Sequence, residues 1–287
     1  MPSIKEVKNR IVSVRSTQQL TKAMKMVAAA KLKRAQDKVL QLRPYSNKLN
    51  DILFNLSNSV TNELFLERDV KKVLVVIIGS DKGLCGSFNS NVLKMFSSFN
   101  AGSGINSNAM SVLPIGKKTY DFFKKNNFNL IDKYWNMLNG FNYGNASEIF
   151  NFIIESYVNS EFDKVVIIYN EFKNVAVQKS VVEDLLPISK SMKGQNENNT
   201  NYNFIFEPNK AKIIEKLIPQ TLKTQLLKAV LESNASEQGS RMTAMSQATD
   251  NAGELLKELK LTYNRTRQAA ITKEILEIVG GAEALSK

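Results

Sequence analysis

Residues 220–279 read QTLKTQLLKAVLESNASEQGSRMTAMSQATDNAGELLKELKLTYNRTRQAAITKEILEIV, sixty positions without proline in which only Gly239 and Gly253 interrupt good helix formers. Apolar or small residues recur at alternating spacings of four and three: Leu231, Ala235, Gln238, Met242, Met245, Thr249, Ala252, Leu256, Leu259, Tyr263, Thr266, Ala270. That is a heptad seam, and over so many turns it predicts a coiled-coil strand rather than a globular helix. Sixty helical residues rise ~90 Å at ~1.5 Å each, so the helix must project from any domain that carries it. Its seam holds Ala, Thr, Gln and Met where a stable zipper would hold Leu and Ile. The expected contact is close but weak.

The other end of the chain carries a matching pattern. Ser3-Ile4-Lys5-Glu6 is a capping box, in which the Ser3 hydroxyl and the Glu6 carboxylate satisfy orphan amides at a helix start. A second seam follows: Ile4, Val7, Ile11, Val14, Gln18, Thr21, Lys25, Ala28, Leu32, Ala35, Val39, Leu42. Its first four positions are apolar, and its middle, from Gln18 to Lys25, is polar. Arg43-Pro44 should bend or interrupt the helix, and Pro219 should break the helix at the other end. Neither seam can be buried alone. With a domain between them, the economical solution is an antiparallel pair of residues 1–58 and 209–287.

Between the two ends, residues 72–78 (KVLVVII) form the β-branched run expected of a strand buried on both faces of a parallel sheet. Residues 111–115 and 164–169 look similar, with helical patterns at 91–99, 117–126 and 146–158 between them. Alternation of strand and helix predicts a Rossmann-like α/β domain over residues 70–207. Residues 175–182 and 202–206 read as further strands, as an antiparallel edge. Residues 191–203 (SMKGQNENNTNYN) read as a polar surface loop.

Composition narrows the function. The net charge is +12 and is uneven: residues 1–50 hold twelve Lys or Arg against only Glu6 and Asp37. A basic tail often marks nucleic-acid binding, but here the charge lies on a segment with its own apolar period. The chain has no histidine, the commonest general base, and a single cysteine, Cys85, which excludes an internal disulfide and fits a reducing compartment. No apolar run approaches the ~20 residues that span a bilayer. Met1 leads straight into helix signals without a secretory or transit pattern, so a place on the cytosolic side is expected. Residues 79–87 (GSDKGLCGS) follow the first strand, where an α/β protein would cradle phosphate, yet their glycine spacing fits neither a P-loop nor a dinucleotide fingerprint. Cys85 has no histidine to activate it, and no spacing of Cys, Asp and Glu suggests a metal site. Neither a cofactor nor a catalytic residue is expected.

The basic flanks carry more. With Ile4 and Val7 at a and d, Lys8, Arg15 and Lys22 fall at e, and Arg10, Lys31 and Lys38 at g. A self-sufficient coiled coil would meet them with acids. The carboxy-terminal helix offers Glu232, Lys260, Arg267 and Glu274 at e and Arg241 at g, so an acidic partner from outside is expected.

Four stretches complete the reading: residues 21–29 (TKAMKMVAA), 80–86 (SDKGLCG), 265–274 (RTRQAAITKE) and 277–282 (EIVGGA). In order and over the full chain they resemble the gamma subunits of F-type ATP synthases, in the bacterial form. The resemblance implies a central-stalk rotor, non-catalytic itself, whose paired terminal helices turn inside a ring of three alpha and three beta subunits. Its α/β domain would bind the epsilon subunit and the c-subunit ring, at the cytoplasmic face of the inner membrane, with no nucleic acid. The same resemblance puts Met24, Lys25 and Lys82 near an acidic loop of a beta subunit, and Arg267 and Gln268 in hydrogen bonds to a beta subunit. A dithiol insertion found in plastid members is missing, so thiol regulation is not expected. Two rivals stand beside it: a basic coiled coil for nucleic acid or cytoskeleton, and a nucleotide-using α/β enzyme.

Overall fold

The computed structural model describes residues 3–57, 64, 68–104, 109–175, 177–188 and 209–285. Two helices dominate: α1 (Ile4–Ser57) and α5 (Lys210–Leu285). Between them come β1 (Val73–Ile78), α2 (Phe88–Ser103), β2 (Met110–Ile115), α3 (Lys117–Lys125), β3 (Asn129–Leu130), α4 (Tyr143–Val158), β4 (Lys164–Phe172) and β5 (Gln178–Leu186). The chain divides into two compact units, one of Met1–Ala28 with Met242–Lys287 and one of Ala29–Arg241.

In the first unit the two terminal helices run antiparallel. Gln18 reaches the carbonyl of Thr249 while Lys25, further along α1, reaches Ser246, earlier on α5. The Ser3 half of the predicted cap is in place, with the Glu6 amide donating to Ser3 Oγ at 3.2 Å. On α5, Met245, Ala252 and Leu256 are buried, and Thr249, Leu259, Tyr263, Thr266 and Ala270 are half-buried. The predicted period therefore matches the buried stripe through Ala270. On α1, Val7, Thr21 and Ala28 are buried and Ile11 and Val14 half-buried, while Lys25 stays exposed.

The second unit is a three-layer α/β body. Its sheet runs β3-β2-β1-β4-β5, parallel except for β5, which pairs antiparallel with β4. The β-branched run of β1 explains its central place, because alternate residues serve two cores. Leu74, Val76 and Ile78 face α4 and α5, where Ile149, Phe150, Ile153, Ile218, Leu222 and Leu226 close over them. Val73, Val75 and Ile77 face α2 and α3, meeting Val92, Phe96 and Phe123. The strand order reverses at β1, since β2 and β3 lie on one side and β4 on the other.

Neither proline interrupts its helix. Pro44 lies inside α1 and Pro219 inside α5. Proline removes one amide and crowds the carbonyl four residues back, a cost of ~3 kcal/mol in an isolated helix. Packing outweighs it here: Leu49 and Leu53 after Pro44, and Ile218 and Leu222 around Pro219, are all buried. The third strand, β3, is only two residues long and has no pattern from which to predict it. The edge strand lies at Gln178–Leu186, slightly later than the sequence suggests. The strand expected at 202–206 and the loop at 191–203 lie outside the described residues.

Candidate functional site

Three constellations stand out. The first is the polar middle of the helix pair. Lys25 Nζ donates to Ser246 Oγ at 2.9 Å, and Thr249 Oγ1 donates to Thr21 Oγ1 at 2.8 Å. Gln18 Nε2 reaches the Thr249 carbonyl at 3.5 Å, and a Cβ on Gly253 would sit 3.0 Å from that same Nε2. Hydroxyls and a glycine thus replace the interlocking aliphatic side chains of a strong zipper. Met24 is half-buried beside Lys25.

The second constellation is the loop after β1. The amide of Gly79 donates to the Ile115 carbonyl at 2.8 Å, and that of Lys118 to the Ser80 carbonyl at 2.9 Å, which ties the loop to the start of α3. Asn89 accepts from the Ser80 amide at 3.1 Å and donates to the buried Cys85 thiol at 3.3 Å. Arg241 then fastens the loop to α5. Its Nη2 donates to the carbonyls of Lys82 and Gly83 at 3.0 and 3.3 Å, and Ser240 Oγ donates to that of Cys85 at 2.6 Å. Leu84 is left in the left-handed region, at φ 61°, and 65% exposed. The motif thus acts as a clasp onto α5, with its carbonyls engaged in holding Arg241. Lys82 itself is exposed.

The third is a pair of ion pairs along α5. Glu237 Oε1 meets Arg241 Nη1 at 2.6 Å, and Glu232 Oε1 meets Arg43 Nε at 3.1 Å. Arg43 also donates to the Phe172 carbonyl at 2.9 Å, so it joins α1, β4 and α5. Glu232 Oε2 is buried without a partner. Burial pushes the carboxyl of Glu232 above the usual glutamate range, against the opposing pull of Lys228 and Arg43. Glu237 is raised likewise by burial, with Arg241 opposing. The heptad puts Glu232 at e and Arg241 at g, beside the seam and not in it. The structure buries both, because α5 passes over the sheet there and is covered on more than its seam. The four-residue spacing of Glu237 and Arg241 was the one available signal.

The expected contact residues do not form one site. Lys8, Arg15, Lys22 and Lys31 are exposed, and none joins an ion pair among the described residues. Arg10 and Lys38 share that condition. Arg267 and Gln268 are exposed on α5, and Ser246, which Lys25 contacts, lies twenty-one residues before Arg267, ~30 Å along a helix. Lys31 and Lys82 do come together, lining one cleft of the Ala29–Arg241 unit. Among the described residues no group of three or more His, Cys, Asp or Glu side chains is placed to hold a metal ion. No described helix is long and apolar enough to cross a membrane.

Comparison with known proteins agrees with this architecture over the whole chain. The profile of the family described as ATP synthase matches residues 3–285. The ATP synthase gamma chain of Amoebophilus asiaticus is 49% identical over 292 residues, covering all of both chains. The chain belongs to the ATP synthase gamma chain family. The gamma chain of Cytophaga hutchinsonii, 48% identical over 294 residues, likewise covers all of both chains. Among solved structures, a chain of the Tetrahymena thermophila mitochondrial ATP synthase, from its central stalk and c-ring, is 26% identical with a TM-score of 0.58. It covers 80% of this chain, which covers 99% of it. A chain of the Euglena gracilis mitochondrial enzyme shares the fold with a TM-score of 0.70 at 22% identity, covering 98% of this chain and 94% of its own.

Proposed function

We propose the following account of how this chain works. It is the shaft of the central stalk of an F-type ATP synthase. It carries rotation driven by ion flow to catalytic sites on other chains, and it does no chemistry itself. The observation that carries the reading is the antiparallel helix pair, with its hydroxyl-lined middle and with exposed cations that form no ion pair among the described residues. A shaft must present different faces to equivalent surroundings without gripping any of them. Small and hydroxyl residues keep the two helices close, and exposed charge gives long-range attraction with little directional lock.

In its finer form, three alpha and three beta subunits surround the helix pair, and the epsilon subunit and c-ring bind the α/β unit. The complex sits at the cytoplasmic face of a bacterial inner membrane. Met24, Lys25 and Lys82 face acidic beta-subunit surface, and Arg267 and Gln268 contact a beta subunit elsewhere on α5. Lys8, Arg15, Lys22 and Lys31 form the basic flank toward the same ring.

The test reverses cations that pair with no acid among the described residues. Lys8, Arg15 and Lys22 changed together to Glu should leave helicity near wild type, since Glu is also a good helix former. Like charges across a partly desolvated contact cost several kcal/mol, against ~0–1 kcal/mol for an exposed pair. The triple variant should therefore assemble poorly with alpha and beta subunits, or synthesise ATP poorly once assembled. Circular dichroism followed by reconstitution reads both. Normal assembly with normal synthesis would reduce these residues to a solvated face.

A further inference from the structure

We propose that the cleft formed by α1, the loop after β1 and α5 in the Ala29–Arg241 unit binds a polyphosphate chain, free as pyrophosphate or carried by a nucleotide. The proposal goes beyond the shaft reading and does not depend on it.

The cleft has a volume of about 540 Å³, within the range of ~300–1,000 Å³ typical of small-molecule sites. Its position is the one at which open α/β sheets hold ligands. Asp81 and Lys82 come from the loop at the carboxyl end of β1, the strand where the sheet order reverses. Four basic residues line the cleft: Lys31, Arg34 and Lys38 from one stripe of α1, and Lys82 from the loop. None of the four takes part in an ion pair among the described residues. Spacings of three and four place the α1 cations side by side, where like charges destabilise a helix unless an anion lies between them.

The two acids in the cleft are already engaged. Glu237 is held by Arg241 and also faces Lys31, and Asp81 Oδ1 accepts from the Lys117 amide at 3.2 Å. Arg241 is likewise spent on Glu237 and the loop carbonyls. With Arg241 set against Glu237, the four cations Lys31, Arg34, Lys38 and Lys82 still outweigh Asp81 by three, a positive surplus that suits linked phosphates better than a single carboxylate or monophosphate. Buried Phe141 and Leu138 supply an apolar wall beside the cations, against which a base can rest.

Titration calorimetry on the full chain, at low salt and without divalent cations, decides the matter with pyrophosphate, ATP, AMP and a hexaglutamate peptide as probes. Pyrophosphate and ATP should each bind once per chain, roughly tenfold or more tighter than AMP, as one further charge-assisted contact supplies. ATP tighter than pyrophosphate assigns the site to nucleotides, and equal affinity assigns it to the phosphate chain alone. Arg34→Gln and Lys38→Gln should each weaken binding about fivefold or more, while Lys125→Gln on α3, outside the cleft, should change nothing. Circular dichroism checks that each variant folds. Three results would overturn the proposal: no saturable binding of either polyphosphate, equal weakening by Lys125→Gln, or hexaglutamate binding more tightly than pyrophosphate. The last would make the cleft a receptor for acidic protein segments instead.

Discussion

Gly116→Ala should destabilise the Ala29–Arg241 unit by ~3 kcal/mol or more. Gly116 lies at φ 115° and ψ 139°, a region open to glycine and closed to L side chains. A Cβ there would also stand 2.9 Å from both the carbonyl carbon and oxygen of Gly79. Those are backbone atoms, held in turn by the Gly79 amide on Ile115 and by Thr119, which would crowd a Cβ on Gly79 at 2.4 Å. Nothing nearby can swing aside. Relief requires the two strand-end turns to separate, which breaks the bond from the Lys118 amide to Ser80 and releases the clasp on α5. Gly102→Ala is the control. Gly102 sits within α2 with open space around it, so alanine should be neutral or stabilise by ~0.5–1 kcal/mol. Urea unfolding of both variants reads the contrast, and equal midpoints would discard the steric account.

Arg43→Ala should cost ~3 kcal/mol at pH 8, and much less near pH 5. The magnitude sits at the low end for breaking a buried pair because Arg43 itself keeps 36% of its side chain exposed, whereas Glu232 keeps 2%. The pH dependence follows from Glu232. Its folded carboxyl is already raised by burial, and loss of Arg43 removes one of the two charges that oppose the rise. A raised acid holds its proton to higher pH in the folded state than in the unfolded chain. Stability is therefore lost as pH climbs from the unfolded value through the folded one. The deficit should shrink as pH falls toward the ordinary glutamate range, where both states are protonated. Arg43→Met with Glu232→Leu should recover most of the loss at high pH, since an apolar pair leaves no charge buried. A deficit independent of pH would mean that Arg43 acts through its bond to the Phe172 carbonyl alone.

The parts of the structure legible in the sequence are those written in periodicity. The seams from Ile4 to Leu42, Lys25 excepted, and from Met242 to Ala270 mark the faces that are covered, and the run at 72–78 marks a strand buried on both sides. Two classes of feature were not legible. Pro44 and Pro219 signal breaks locally, but the buried residues that follow each keep the helix intact, and burial at a distance is not written in the local sequence. Glu232 and Arg241 fall at flanking positions of the heptad, and Glu237 lies off the seam. They are buried because the loop after β1 and the end of β4 close over α5, which depends on how sheet and helix meet. Gly116 could be recognised as a turn residue, but the reason only glycine fits lies in the backbone at Gly79, thirty-seven residues earlier in the chain. The cleft cations were legible as charge, since Lys31 and Lys38 stood out as unanswered, while their meeting with Lys82 was not.

From residue 271 to 282 every position of α5 is exposed, among them Ile271, Ile275, Leu276, Ile278 and Val279. Helices of this length are marginal in water without packing. In the chain by itself, the amides of this last stretch should exchange with deuterium within seconds, on a clock set by local fraying. Those around Leu226 and Ala229 should wait for opening of the whole unit. Enclosure by other subunits would slow the first clock and leave the second nearly unchanged. The far end of α5 is thus a built-in reporter, with its exchange rate registering how much of the chain is sheathed at any moment.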